Sequence, residues 1–364
     1  MTVKEIAAAL EELAPLPLAE DFDNVGLLVG DPGMEVKGIL ITLDTLEAVV
    51  EEALSKGCNL IVSFHPIIFS GLKRLTGKDY VERTVMRALE NRIAIYSMHT
   101  ALDNVPNGVS GKLCEVLGLR DCRVLMPMEG SIRKLVTYVP QSGREALLDA
   151  LFRAGAGSLG NYSNCSFSND GEGTFLPEPG ATPAVGTPGQ LHREPETQLH
   201  LTFPADRQAA VLAALSAHHP YEEIAYELTT LENAYAHRGM GMVGELEAPM
   251  EASRFLDRVK ERLHAPVVRH TELTGKPIRK VAVLGGSGAF AIPAAKAAGA
   301  DLLLTADIKY HQFFQAEGQL VLADVGHFET EQFTKNLLYD YLTEKIPNFA
   351  ISLSEVNTNP IKYY

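Results

Sequence analysis

Four side chains stand out for what they could do together: His65, Asp103, His327 and Glu331. Two imidazoles and two carboxylates form a donor set that suits Zn²⁺, Mn²⁺ or Fe²⁺. It suits Ca²⁺ poorly, because calcium prefers oxygen ligands alone. His327 and Glu331 are four positions apart, so on a helix they share a face and can address one ion. A carboxylate can also bridge two ions, and water bound to such a centre is acidified toward neutrality and becomes a nucleophile. Each residue also has an ordinary use. A histidine at a strand end is commonly packed or hydrogen-bonded, Asp103 can cap a helix or hold a turn, and Glu331 early in a helix is favoured by the dipole.

The elements that must bring these residues together are legible around them. GILITLD (38–44), NLIVSF (59–64) and IAIYS (93–97) are apolar, β-branched runs separated by helical stretches, LEAVVEEALSKG, residues 79–91 and NGVSGKLCEVLG. Thr45 is placed to cap the first of these helices and Gly57 to close it. Near-continuous apolar strands alternating with helices predict a parallel sheet covered on both faces. The pattern returns over 278–345: IRKVAVLGG, DLLLTAD and QLVLADVG as strands, AFAIPAAKAAGA and KYHQFFQAEG as helices, then a long helix over about 328–345. His65 and His327 follow strands directly, and Asp103 lies six residues after IAIYS. Ligands of open α/β sheets gather at the carboxyl ends of the strands, where all of these would lie.

The middle of the chain has a different grammar. A strand (134–140) and a helix (about 142–153) precede an irregular Gly- and Pro-rich stretch, 155–196. A strand (197–203), a helix (206–216) and a strand (222–231) follow. This order predicts a ferredoxin-like α+β module. A structureless run of ~40 residues inside a compact domain points to function or to an interface. The reading is therefore α/β: two related lobes with mainly parallel sheets, 1–125 and 235–364, form one metal-binding unit interrupted by an α+β insert over 126–234.

Bulk properties narrow the function. The 364 residues carry a formal charge of −14, with 32 basic against 46 acidic side chains scattered without a basic patch. That field argues against nucleic acid and against anionic lipid. Cys58, Cys114, Cys122 and Cys165 form no CxxC pair, so neither a disulfide framework nor a zinc knuckle is expected. The first residues read as an acidic amphipathic helix rather than a signal peptide, and no stretch has the ~20 apolar residues of a membrane span, so a cytoplasmic location is expected.

FDNVGLLVG (22–30), SFHPIIF (63–69), YSMHTALDNVPNGV (96–109), TADIKYHQF (305–313), DVGHFETEQF (324–333) and NTNPIKYY (357–364) resemble, in order and nearly end to end, the GTP cyclohydrolase 1 type 2 homolog family, also called Nif-three-like. CSFSNDGEGTFLPEPGATPAVG and HHPYEEIAYEL are similar to the PII-like and CutA-like domain inserted in its longer bacterial members. The resemblance implies a toroidal homohexamer, a trimer of dimers, with a di-metal site facing an internal cavity. By position it implies that His65, Asp103, His327 and Glu331 are metal ligands. One departure matters: many members have two adjacent histidines before the proline, and here the first is Phe64, so one of two ions would lose a ligand.

Neighbouring residues are candidates for support. His99 is the candidate proton carrier, or a partner for Asp103. Asp44 and Asp307 end strands at the same edge, Asp307 and His311 are four apart and could orient ligands, and Asn24 lies in the FDNVG motif. The resulting expectation is a hydrolase of nucleotides or phosphoesters using one or two divalent ions (Zn, Fe or Mn). The alternative is a non-catalytic metal-binding scaffold, metal chaperone or regulatory hexamer. No P-loop or guanine-reading motif supports a GTP cyclohydrolase activity. A third reading, a dinucleotide site, comes from Gly286-Ser-Gly288-Ala-Phe-Ala291, which fits G-x-G-x-x-A after a strand.

Overall fold

A computed structural model describes residues 1–158 and 160–364, so position 159 of the irregular stretch lies outside the described residues. The chain divides into two compact units, Met1–Pro127 with Ala236–Tyr364, and Met128–Tyr235.

The first unit begins with α1 (Val3–Leu13), whose start is fixed by reciprocal bonds between Thr2 and Glu5. There follow β1 (Gly26–Val29), β2 (Ile39–Thr42), α2 (Glu47–Ser55), β3 (Leu60–Ser63), α3 (Tyr80–Glu90), β4 (Ala94–Ser97), α4 (His99–Asp103), α5 (Val109–Leu117) and β5 (Arg120–Met128). The second unit comprises β6 (Ile132–Pro140), α6 (Arg144–Arg153), β7 (Phe167–Phe175), β8 (His192–Pro204), α7 (Gln208–His218) and β9 (Tyr226–Leu231). The chain returns through β10 (Tyr235–Met250), α8 (Ala252–Arg262), β11 (Arg269–His270), β12 (Ile278–Ser287), α9 (Ile292–Ala297), β13 (Leu302–Ala306), β14 (Val321–Asp324), α10 (His327–Glu331), α11 (Thr334–Lys345) and β15 (Ile351–Leu353).

Two sheets organise the first unit. One has the order β1-β4-β3-β2-β15, with β4, β3, β2 and β15 parallel and β1 antiparallel at the edge. The other has the order β11-β14-β13-β12-β10-β5, parallel across β14, β13 and β12. Every residue of β2, β3, β4, β13 and β14 is buried. This is the signature of strands covered on both faces, and it is why their sequences are apolar without alternation. The sheets also trade strands: β15 joins the N-terminal sheet beside β2, while β5 joins the C-terminal one beside β10. Neither sheet is built from one end of the sequence alone.

The second unit is a β-α-β-β-α-β run whose sheet has the order β7-β8-β6-β9, with every neighbouring pair antiparallel. Its core is Leu135, Val139, Leu147, Leu151, Leu199, Leu201, Phe203, Val211 and Leu215, from the strands and both helices.

Several local expectations fail for identifiable reasons. The irregular stretch contains β7, and β8 begins already at His192. β7 reads FSNDGEGTF and pairs on one side only, so no apolar alternation marks it. Thr45 does not cap α2: the N-cap is Leu46, and the Thr45 hydroxyl is buried without a hydrogen-bond partner. The long helix expected over 328–345 is instead α10 and α11, which part at Gln332 and Phe333 although the Gln332 amide still bonds back to the Phe328 carbonyl and both backbones stay right-handed. KYHQFFQAEG forms a short 3-10 segment, Tyr310–Ala316, bracketed by left-handed Asp307 and Glu317.

A candidate metal centre at the strand ends

The carboxyl ends of β2, β3 and β4 and those of β12, β13 and β14 face one small region of the first unit. His65 stands just past β3. His327 and Glu331 are the first and last residues of α10, one turn apart on one face. The potential ligand atoms of His65, His327 and Glu331 all lie within 4.8 Å of one another. Both Nε2 atoms are 3.1 Å from Oε2 of Glu331. Neither is aligned for a hydrogen bond, and this buried oxygen has no hydrogen-bond partner. An orphaned carboxylate oxygen between two imidazole nitrogens is what a cation of the zinc, iron or manganese type would satisfy. The residues therefore fit the expected metal.

Each imidazole is held from behind. Nδ1 of His65 donates to Oδ1 of Asp44 at 2.8 Å, and Nδ1 of His327 to Oδ2 of Asp307 at 2.7 Å. Such bonds fix the ring and leave Nε2 as the ligating atom. Asp44 is itself held by the hydroxyl of Thr358 in the C-terminal tail. The support residues read from strand ends, Asp44 and Asp307, thus both hold imidazoles of the close trio. His311 does not share that role: its ring packs against Tyr310 and Phe314.

The electrostatics follow from this packing. Burial alone would lower the His65 and His327 pKa values. The backing aspartates and the Glu331 carboxylate overcome it, raising His65 to about 9 and His327 to about 10. Burial would raise Glu331, but the two rings hold it at about 2. Asp103 stands outside the close trio, in the wall of the same pocket as His327 and Glu331. Its pKa is pushed well up by burial and then by the charge of Glu331, which outweigh the opposing pull of the His65 and His327 rings.

His99 lies on the same pocket, its ring 5.3 Å from that of His65. Its Nδ1 donates to Asp23 Oδ1 at 2.7 Å, while Asp23 Oδ2 accepts from the Thr100 amide and hydroxyl. Burial would raise the Asp23 carboxyl, but these donors hold it at about 2. Asp23 went unrecognised in the sequence, although its FDNVG motif was noted for Asn24. Asn24 instead donates to the Ile68 carbonyl at 2.5 Å and ties two loops together. Phe64 is fully buried, with its ring 4.9 Å from that of His65 and 5.5 Å from that of His99; it backs both histidines and offers no ligand.

The glycine turn after β12 serves this site. A Cβ at Gly286 would lie 2.2 Å from Glu331 Oε1, and the residue has φ +66°, so glycine is required there twice over. The Gly286 amide donates to Thr330 and its carbonyl accepts from Thr305. Its amide is thus already engaged and is not free to cradle a pyrophosphate.

A two-sheet α/β unit that gathers histidines and carboxylates where its parallel strands end defines a class of candidate metal-binding proteins. Within that class the chain belongs to the Duf34/NIF3 (NGG1p interacting factor 3) family, which it matches over residues 1–360. It is 35% identical to the GTP cyclohydrolase 1 type 2 homolog of Bacillus subtilis (strain 168), with 99% of this chain and 98% of that one covered. It is 36% identical to the homolog of the same name in Halalkalibacterium halodurans, with 97% and 96% covered. The crystal structure of a Bacillus cereus protein related to NIF3 superposes with a TM-score of 0.85 at 36% identity, covering 100% of this chain and 99% of that one.

Proposed function

We propose that the protein is a divalent-metal-dependent hydrolase acting on a nucleotide or phosphoester. The observation that carries this reading is the unpartnered Glu331 Oε2 between two imidazole Nε2 atoms whose Nδ1 positions are fixed by aspartates. His65, His327 and Glu331 would hold the ion, with Asp103 as fourth ligand. When bound, it supplies Lewis acidity and a water acidified toward neutrality. Asp23 fixes the Nδ1–H tautomer of His99 and leaves its Nε2 to take or give a proton within the pocket. Phe64 packs behind the His65 and His99 rings.

The test has two arms. Elemental analysis of the purified protein should find a transition metal or zinc, and the count per chain tests the consequence of Phe64: one tightly held ion is expected. A panel of nucleotides and phosphoesters should then reveal turnover that Glu331→Gln abolishes. Metal without turnover anywhere on the panel would favour the scaffold or chaperone reading.

The same proposal takes the second unit as a ferredoxin-like insert of PII/CutA type, supported by its β-α-β-β-α-β order and antiparallel sheet. It takes the assembly as a homohexamer, supported by the family resemblance and measurable by light scattering. It takes the compartment as the cytoplasm. Among the described residues no helix is long and apolar enough to cross a membrane, and the four cysteines are unpaired.

A further inference from the structure

Three phenylalanines from distant parts of the chain converge on the pocket whose wall carries His99, Asp103, His327 and Glu331. Phe22, Phe69 and Phe290 line this cavity of about 420 Å³, and they remain 65%, 52% and 58% exposed. A single exposed apolar side chain needs no explanation, but three aromatic rings around one cavity do. They are also held in place. Phe22 and Phe69 are 6.4 Å apart between ring centroids, and Phe69 meets the His99 ring edge-on at 6.3 Å. Asn24 ties the Phe22 loop to the Phe69 loop through the Ile68 carbonyl. Phe290 is presented by the glycine turn, pinned from Thr305 to the Gly286 carbonyl. The G-x-G-x-x-A pattern thus acquires a use unrelated to a dinucleotide: its glycines make room for Glu331 and Thr305, and its Phe290 faces the pocket.

The charge lining the pocket is as informative as its rings. No lysine or arginine is among the lining residues, which include Glu20, Asp103 and Glu331. Within this pocket a polyphosphate would find no cationic side chain beyond the histidines and the ion; Arg269 lines the separate pocket on the Asp307 side of His327. A single ester phosphate directed at the ion, with a flat ring held among the phenylalanines, matches both features.

We propose that this pocket binds a heteroaromatic monoester of mononucleotide type, that Phe22, Phe69 and Phe290 select the ring, and that the absence of basic residues selects against triphosphates. The inference rests on the metal reading above and narrows its substrate class.

The chain contains no tryptophan, so Phe69→Trp installs a single fluorescent reporter at the platform. Titrated with purified metal-loaded protein, adenosine and guanosine monophosphate should quench it saturably. Ribose 5-phosphate should not, and the triphosphates should bind more weakly than the monophosphates. Adding Phe22→Ala or Phe290→Ala to the reporter should weaken mononucleotide binding about fivefold or more. Tighter binding of triphosphates, an equal response to ribose 5-phosphate, or no response in protein shown to hold metal overturns the proposal and leaves the metal reading standing. Protein that takes up no metal sinks that reading, and this one with it. If the alanine variants change the oligomeric state and leave nucleotide binding unmoved, the rings are an interface between copies of the chain, and the proposal falls.

Discussion

The pH dependence of metal uptake follows from the packing of the cluster. His65 and His327 have folded-state pKa values of about 9 and 10 against an ordinary 6.5, because facing carboxylates outweigh burial. At pH 7 the ion-free site therefore holds a proton on each ring. A metal requires the neutral imidazole, so one ion expels two protons. The logarithm of the apparent association constant should rise by nearly two per pH unit between pH 7 and 8, and less steeply as pH approaches 9. Over the first unit that is nearly a hundredfold, or about 2.7 kcal/mol. Glu331, held at about 2, adds no proton. Asp103, whose pKa is raised, can add to the release but not subtract from it. Competition against a chelator of known proton linkage measures the slope for Zn²⁺ at several pH values. Histidines at their ordinary pKa would give a slope near zero above pH 7.5, so a value below one between pH 7 and 8.5 refutes the proposed electrostatics. The same shifts have a stability consequence. Each raised histidine pKa stabilises the ion-free fold below about 6.5, and that contribution is lost as pH passes through 9 to 10. The ion-free protein should melt earlier in alkali, and the metal-loaded protein should resist that loss.

Further outcomes can be checked with simple variants. Asp307→Ala, which frees Nδ1 of His327, should weaken metal binding by about 10- to 100-fold with the fold intact by circular dichroism, and Asp44→Ala should do the same through His65. Gly286→Ala drives a Cβ against Glu331 at a left-handed position, so metal content should fall sharply while Gly299→Ala, also left-handed but with open space, costs only stability. Phe255→Ala removes a fully buried ring from the core of the first unit and should cost about 3–5 kcal/mol in denaturant unfolding.

Much of the His65, His327 and Glu331 grouping was legible in the sequence because the parallel strands are short, apolar and followed at once by these residues. His65 after LIVSF and the His327–Glu331 spacing require only that strands end and a helix begin where they do. Asp44 and Asp307 were legible by the same logic, as strand-end carboxylates. Asp23 was not, because it reaches His99 from a loop, and loop geometry has no period to read. The order of the second unit was legible from its helices and inner strands. β7 was missed because an edge strand exposed on both faces carries the composition of a loop. β5 and β15 were missed because their partners lie in the other half of the sequence, and only the assembled sheets reveal them.

That exchange of strands has a consequence for biosynthesis. Thr358 and Asp44, which meet beside His65, are 314 positions apart, and β15 completes a sheet whose other strands emerge from the ribosome far earlier. Until it arrives, β2 (Ile39-Leu40-Ile41-Thr42) presents a bare and mostly apolar edge, the kind that recruits neighbouring chains into mispaired aggregates. Yield in a host should therefore depend on how well chaperones shield that edge during translation, and supplying metal to the growth medium cannot help before residues 327–331 have been made.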